Sequence, residues 1–441
     1  MMQILNFFND KLTLYLVFPA VLLSGFYLTI RLKAVQVFRL KMSFKEIFFS
    51  QDKGEGNVSH YQAVSSVLAG SFGTGNISGM AVALTLGGPG ALVWMWVFAF
   101  LGAAIQYASC LLGVKYRRKN EKGDYVGGPM YYLRDGLGLK RVASCFAILV
   151  ICAGLACGNL VQMNSIALPL AKIGIAPWIS GSVIAFFVAL VILGRSERLS
   201  LVASSIVPLM ALLYLGGAAV ILILNFDKVG SALLLILTSA FKNGDPFFGG
   251  AAGWGMAQAM ISGFDRAIFA TDAGTGSVPI LQANARTRDP VIDGVVTLLA
   301  PFLVMLVCTA TALVILVTGE MGKAESTNLV LGAFQRVFGF NMGGLIVIFS
   351  LVLFAYTTIL TWGTCALRAF EFLLGTKGSK IVQLGYIALV PIGAFMKVGT
   401  VWLIADMTLS LMLLLNLFGI FGLRKEIIVD TKEFFFDKMK A

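Results

Sequence analysis

Charge is what this sequence has least of: 13% of its 441 residues are Asp, Glu, Lys or Arg, about half the share of an ordinary soluble domain. Histidine is nearly missing, with His60 alone. The six cysteines (Cys110, Cys145, Cys152, Cys157, Cys308, Cys365) form no Cys-x-x-Cys pair and all fall inside apolar stretches. They read as small packing residues, which excludes a disulfide framework and a Cys/His metal cage. No nucleophile, base and oxyanion set emerges, so an enzyme has no visible chemistry. The glycine cluster at Gly73, Gly75 and Gly79 has the spacing G-x-G-x-x-x-G, with no strand before it and no acid about 20 residues on. Dinucleotide binding is excluded on those grounds.

What is present is apolar: 58% hydrophobic residues and a mean hydropathy of +0.87. Uncharged runs cover 12–30, 56–114, 142–171, 173–194, 199–226, 246–264, 294–319, 337–367 and 381–396, and 398–423 is broken only by Asp406. Because roughly 20 apolar residues cross a bilayer as a helix, the chain reads as an all-α polytopic membrane protein. Dividing the longest run at Gly87-Gly88-Pro89-Gly90 gives 11 transmembrane helices. The stretch 229–241 is too short to span and reads as an outer interfacial helix. The first run is longer than a signal-peptide core and lacks a small-residue cleavage site, so it reads as a retained span.

The net charge of +12 suggests nucleic acid only until the positions are read. With the amino terminus outside, 26 of the 34 Lys and Arg fall in cytoplasmic segments and seven in outer ones. Short basic loops stay on the cytoplasmic side, so the expected topology is amino terminus out and carboxyl terminus in, across the inner (plasma) membrane. Lys115-Tyr116-Arg117-Arg118-Lys119 is thus a topology signal, and a nucleic-acid partner is not expected.

Two spans carry polar interruptions. One is Ala69-Gly70-Ser71-Phe72-Gly73-Thr74-Gly75-Asn76-Ile77-Ser78-Gly79; the other is Gly263-Phe264-Asp265-Arg266 followed by Thr271-Asp272-Ala273-Gly274-Thr275-Gly276. With 12–30 set aside as an extra amino-terminal helix, each interrupted span opens a set of five, at 62–226 and 246–423. Five is odd, so the second set starts from the opposite face. Inverted repeats with interrupted helices at matching places point to a ligand site near the midplane. Residues 424–441 remain as a cytoplasmic tail of the single domain 1–441.

Non-helical backbone survives in a bilayer only where protein or water covers it. An unwound segment offers N–H groups to a carboxylate and carbonyls to a hard cation. Ser71, Thr74 and Asn76 add side-chain oxygens, while Gly75-x-x-x-Gly79 has a competing reading as a packing face. Asp265, Arg266, Asp272 and Asp406 are candidates because charge inside a span is costly; a local Asp265–Arg266 pair, a helix-capping Asp272 and a helix-bonding Asp406 are the structural alternatives. Gln162 and Asn164 read as ligand contacts or interhelical bonds, Thr357 and Thr358 as back-bonded hydroxyls or cation ligands, and Trp362 as packing or a lid. His60 reads as a solvated boundary residue.

These residues resemble the alanine or glycine:cation symporters, the sodium/alanine carriers. The likeness is carried by Gly73-Thr74-Gly75-Asn76-Ile77, Gly87-Gly88-Pro89-Gly90-Ala91, Trp94-Met95-Trp96, Tyr125-Val126-Gly127-Gly128-Pro129-Met130-Tyr131-Tyr132, Gly158-Asn159, Asp272-Ala273-Gly274, Cys308-Thr309, Phe354-Ala355-Tyr356-Thr357-Thr358 and Ala405-Asp406. The resemblance implies a leucine-transporter-like fold, an extra amino-terminal helix plus a 5+5 inverted-repeat core. It implies sodium-coupled import of a small neutral amino acid, alanine or glycine, with no obligate protein partner. Substrate would meet Ser71, Thr74, Gly75, Asn76, Gln162 and Trp362; sodium would meet the carbonyls of Ala69 and Phe72 and the hydroxyls of Thr357 and Thr358. The chain departs from the family pattern at Ala270-Thr271-Asp272, Val304-Met305, Ser109 and Leu367. A proton-coupled carrier or an amino-acid exchanger is the alternative, and a membrane-embedded enzyme a more distant one.

Overall fold

The computed structural model describes residues 2–49, 54–194, 197–241, 254–324, 326–396 and 398–438. Of the expected span at 246–264, residues 246–253 lie outside them. Among the described residues, seven helices are long and apolar enough to cross a membrane: α1 (Leu5–Arg31), α4 (Ala91–Lys115), α5 (Lys140–Lys172), α7 (Arg198–Leu224), α11 (Pro290–Thr318), α13 (Phe340–Leu374) and α15 (Gly399–Gly422). An eighth passage is the bent pair α2 (His60–Ser71) and α3 (Thr74–Gly87), which meet at 58°. Two shorter apolar helices are α6 (Pro177–Ile192) and α14 (Ser379–Gly393). The rest of the helical frame includes α8 (Phe226–Ser239), α9 (Trp254–Thr271), α10 (Val278–Gln282), α12 (Thr327–Phe338) and α16 (Arg424–Lys432). Helix α8 overlaps most of the stretch 229–241, and α1 begins seven residues before 12–30 and ends one residue after it.

Burial sorts these helices into layers. The most apolar window of α4 is 89% buried, whereas that of α7 is 28% and that of α1 33%. A helix hydrophobic on every face is either inside the bundle or against lipid. Leu212 and Ile223 on α7, Phe186 on α6 and Leu23 on α1 are exposed, as a lipid-facing rim requires. Lipid supplies no hydrophobic drive between helices, so close approach of backbones must hold the interior together. Glycines do this at specific crossings: a Cβ on Gly25 would stand 2.5 Å from the Leu101 Cβ, and one on Gly263 would stand 2.6 Å from the Ala91 carbonyl oxygen. Those contacts lock α1 and α9 onto α4.

The two polar interruptions differ from each other. At the first, α2 starts in a Ser59–Gln62 capping box and ends where Phe72 adopts φ −79° and ψ 59°. Gly73 is extended, and α3 opens with a 3-10 turn over Thr74–Asn76. At the second, Gly263-Phe264-Asp265-Arg266 lies inside α9, and the break is confined to 272–277, where Asp272 (φ 53°), Gly274 (φ 80°) and Gly276 (φ 88°) take left-handed backbone. The expectation of an interruption at 263–266 is therefore corrected. Those side chains find partners on neighbouring helices, so the helix stays wound. After α4, β1 (Arg118–Lys119) and β2 (Tyr125–Val126) form a short antiparallel hairpin. Helix α16 folds back onto the end of α4 through Lys115, which bridges Glu426 and Asp430 at 3.0 and 2.7 Å.

Candidate functional site

The unwound segment between α2 and α3 is stitched by its own side chains. Asn76 Nδ2 donates to the Ser71 carbonyl at 2.8 Å, bridging the break, while Cys308 Sγ donates to Asn76 Oδ1 at 3.3 Å and Thr311 Oγ1 to the Asn76 carbonyl at 3.0 Å. Ser71 Oγ shares its proton between the Val67 carbonyl of its own helix at 3.1 Å and the Thr271 carbonyl at 3.3 Å. The second contact links the first break to the start of the second. Released peptide groups in a bilayer must find such partners, and here they leave the chain open without leaving it loose.

Gln162 reaches this segment from α5. Its Oε1 accepts from the backbone N–H and the hydroxyl of Thr74, both at 3.0 Å, and its Nε2 donates to the Cys157 carbonyl at 3.0 Å. Residues Ala156–Leu160 form a π-helical bulge, a feature that widens helices at functional places. Trp362, fully buried, packs against that bulge: a Cβ on Gly158 would stand 2.1 Å from the Trp362 Cβ. It backs Gln162 through the bulge. Gly75 lies against the Phe269 ring, where a Cβ would meet Cδ1 at 2.5 Å, and Gly79 lies against Trp402.

The four oxygens expected for a cation do not share one arrangement. Thr358 Oγ1 lies 3.0 Å from the Ala69 carbonyl, 3.4 Å from that of Gly70 and 2.9 Å from that of Phe354. One hydroxyl proton serves one carbonyl at a time, so this corner holds more acceptors than donors. Such an oxygen-rich corner suits a hard cation. Thr357 Oγ1 instead back-bonds to Leu353 and Phe354 at 3.0 and 3.1 Å and faces Met210 Sδ at 3.8 Å. The Phe72 ring packs on Phe354, with its peptide inside the break. A Cβ on Gly73 would stand 2.9 Å from Thr358 Oγ1 and 3.1 Å from Gln162 Oε1. Gly73 is thus where the substrate and cation candidates meet.

The charged residues form no local Asp265–Arg266 pair. Asp265 accepts from Asn9 Nδ2 at 2.9 Å and Thr13 Oγ1 at 2.6 Å, both on α1, and Arg266 pairs with Asp406 on α15. The Arg266 guanidinium also lies 4.5 Å above the Trp402 ring, a cation–π contact. Asp272 does not cap a helix with its side chain; it is buried at the second break. Asn164 donates to the Gly393 and Met396 carbonyls at 3.3 and 2.7 Å, the interhelical alternative. His60 is corrected from solvated to buried, its Nδ1 3.8 Å from Asp293, because 284–287 pairs with 55–58 and covers it. Cys145 and Cys152 are exposed on α5 and do not serve as packing residues there.

A polar network that the sequence reading missed lies toward the carboxyl end of α13. Arg368 pairs with Asp124 at 2.7 Å and Glu371 at 2.9 Å, and Lys122 reaches Glu371 at 2.9 Å. These groups line a cavity of about 560 Å³ together with Leu367 and Gln383. Arg117 donates to the carbonyls of Ala283, Ala285 and Glu55. Tyr125 donates to the Glu55 carboxylate, and this bond, aided by Lys119, holds the Glu55 carboxyl below the usual carboxylate range. Only the tertiary fold brings these segments together; the basic runs flanking them were the one available signal.

A family model described as "Sodium:alanine symporter family" matches residues 1–441. The chain is 42% identical to an "Uncharacterized transporter" of Haemophilus influenzae, covering 93% of this chain and 91% of that one. It is 38% identical to the "Sodium/alanine symporter AgcS" of Methanococcus maripaludis, covering 93% and 92%. Among solved structures it is similar to a Na+-coupled sialic acid symporter in a substrate-bound outward-open state, with a TM-score of 0.56, 16% identity and 90% and 86% coverage. At that identity the likeness concerns the fold.

Proposed function

Since this chain belongs to the sodium:alanine symporter family, a family of transporters and not enzymes, we propose that it imports small neutral amino acids, alanine and glycine, on a sodium gradient by alternating access. The observation that carries this reading is the convergence at Gly73: unwound backbone, the Thr74–Gln162 bonds on one side and the Thr358–Ala69 contact on the other. Peptide dipoles freed at Ser71, Thr74, Gly75 and Asn76 would hold a zwitterion, with Gln162 and the Trp362 wall beside it. Sodium would lie at the Ala69, Phe72 and Thr358 oxygens, while the Thr357 hydroxyl, the fourth expected ligand, stays bonded to its own helix.

The protein is integral to the membrane, and the plasma membrane with an outer amino terminus is the setting we propose. Adding α6, α14 and the broken α9–α10 to the eight passages supports eleven spans, and one broken helix in each set of five supports the inverted repeat within 62–226 and 246–423. The test is uptake of labelled alanine by reconstituted protein. Accumulation should vanish when choline replaces sodium. Uptake that persists on a proton gradient or by exchange alone would replace sodium symport with one of the alternatives.

A further inference from the structure

The transport reading accounts for the first break but leaves a buried carboxylate at the second. We propose that Asp272 forms a separate site for a small monovalent cation, moved in the same cycle; this rests on the transport reading.

Asp272 is 3% exposed, and its Oδ1 has no hydrogen-bond partner. Its peptide, by contrast, is fully used: the N–H donates to Ile268 at 3.0 Å, and the carbonyl accepts from the Thr275 N–H and hydroxyl at 3.2 and 2.8 Å. The left-handed φ of 53° is unusual for a side-chain-bearing residue. It persists where surroundings fix it, a hallmark of functional sites. Oδ2 lies 3.9 Å from the Cβ position of Gly70, and that position is 3.0 Å from Thr361 Cγ2. The carboxylate therefore faces the wall between the first break and α13.

Among the described residues no protein cation lies within ion-pair distance of it: Arg266 pairs with Asp406, and Arg368 with Asp124 and Glu371. A buried carboxylate with one oxygen unpartnered and no countercharge in contact must take up a cation. A proton or a sodium ion supplies the same unit charge.

The experiment measures charge moved per alanine, from the reversal potential of uptake by the full-length protein in proteoliposomes. Wild type should move about one elementary charge more per alanine than Asp272→Asn, and Asp272→Glu should keep the wild-type ratio. A reversal potential that follows the proton gradient at fixed sodium identifies the second ion as a proton. One that follows sodium alone identifies it as sodium. Equal ratios in wild type and Asp272→Asn overturn the proposal. So does a wild-type ratio of about one charge per alanine, which needs no variant to fold. Sodium-driven alanine uptake with that lower ratio leaves the transport reading standing, whereas no alanine uptake on any cation gradient removes both.

Discussion

Replacing Thr358 and Thr357 separately by valine separates the cation corner from its surroundings. Valine keeps the branched shape and removes one hydroxyl. At Thr358 that hydroxyl stands among three carbonyls, at 2.9, 3.0 and 3.4 Å, two of them on the first broken helix. At Thr357 it bonds only its own helix and faces a thioether. Losing the bond of the Thr358 hydroxyl oxygen to a buried charge costs about 1.5–3 kcal/mol. Expressed in the half-saturating sodium concentration, that is about 10- to 150-fold for Thr358→Val. Thr357→Val should stay within about threefold, since a back-bonded hydroxyl contributes little to its helix. The assay is initial alanine uptake against external sodium, normalised to protein in the vesicles. A sodium dependence unmoved by Thr358→Val, or moved equally by both, would refute the placement of the cation at Ala69 and Thr358.

Gly158→Ala forces a methyl into the Trp362 side chain. Overpacking of this kind costs about 1–3 kcal/mol, so a lowered melting temperature in detergent and reduced alanine uptake should appear together. Removing both donors to Asp265, with Asn9→Ala and Thr13→Val, should destabilise by about 1.5–3 kcal/mol per bond to the charge. Adding Asp265→Asn should recover part of the thermal stability. Arg266→Gln strands Asp406 and should cost about 3–5 kcal/mol, whereas the double change with Asp406→Asn should cost clearly less; thermal unfolding of the single and double variants checks this.

Length and charge made the membrane class legible, because a span is a one-dimensional property of the sequence. The break at 72–76 was legible for a related reason: Gly73, Gly75 and Asn76 placed together favour unwound backbone over helix. The same rule failed at 263–266. There the glycine serves close packing against Ala91, and the two charges point to different helices. Pairings such as Asp265 with Asn9, Ser109 with Asn416 at 3.2 Å, or Arg368 with Asp124 join residues far apart in sequence, and no local pattern encodes them. Thr357 and Thr358 were indistinguishable as letters. The helical rotation of about 100° between neighbours sends one hydroxyl to the broken helix and the other to Met210.

The bonds from Asn9 and Thr13 to Asp265 also bear on biogenesis. Their partners are separated by 256 and 252 residues, so the first span leaves the ribosome long before the acid it serves. Synthesis at about 5–20 residues per second sets a wait of tens of seconds. During that interval α1 holds two unsatisfied polar side chains at the bilayer. The mature bundle is therefore sealed late, by its oldest helix, and nascent chains arrested before residue 265 should leave α1 more readily cross-linked to lipid or insertase than completed ones.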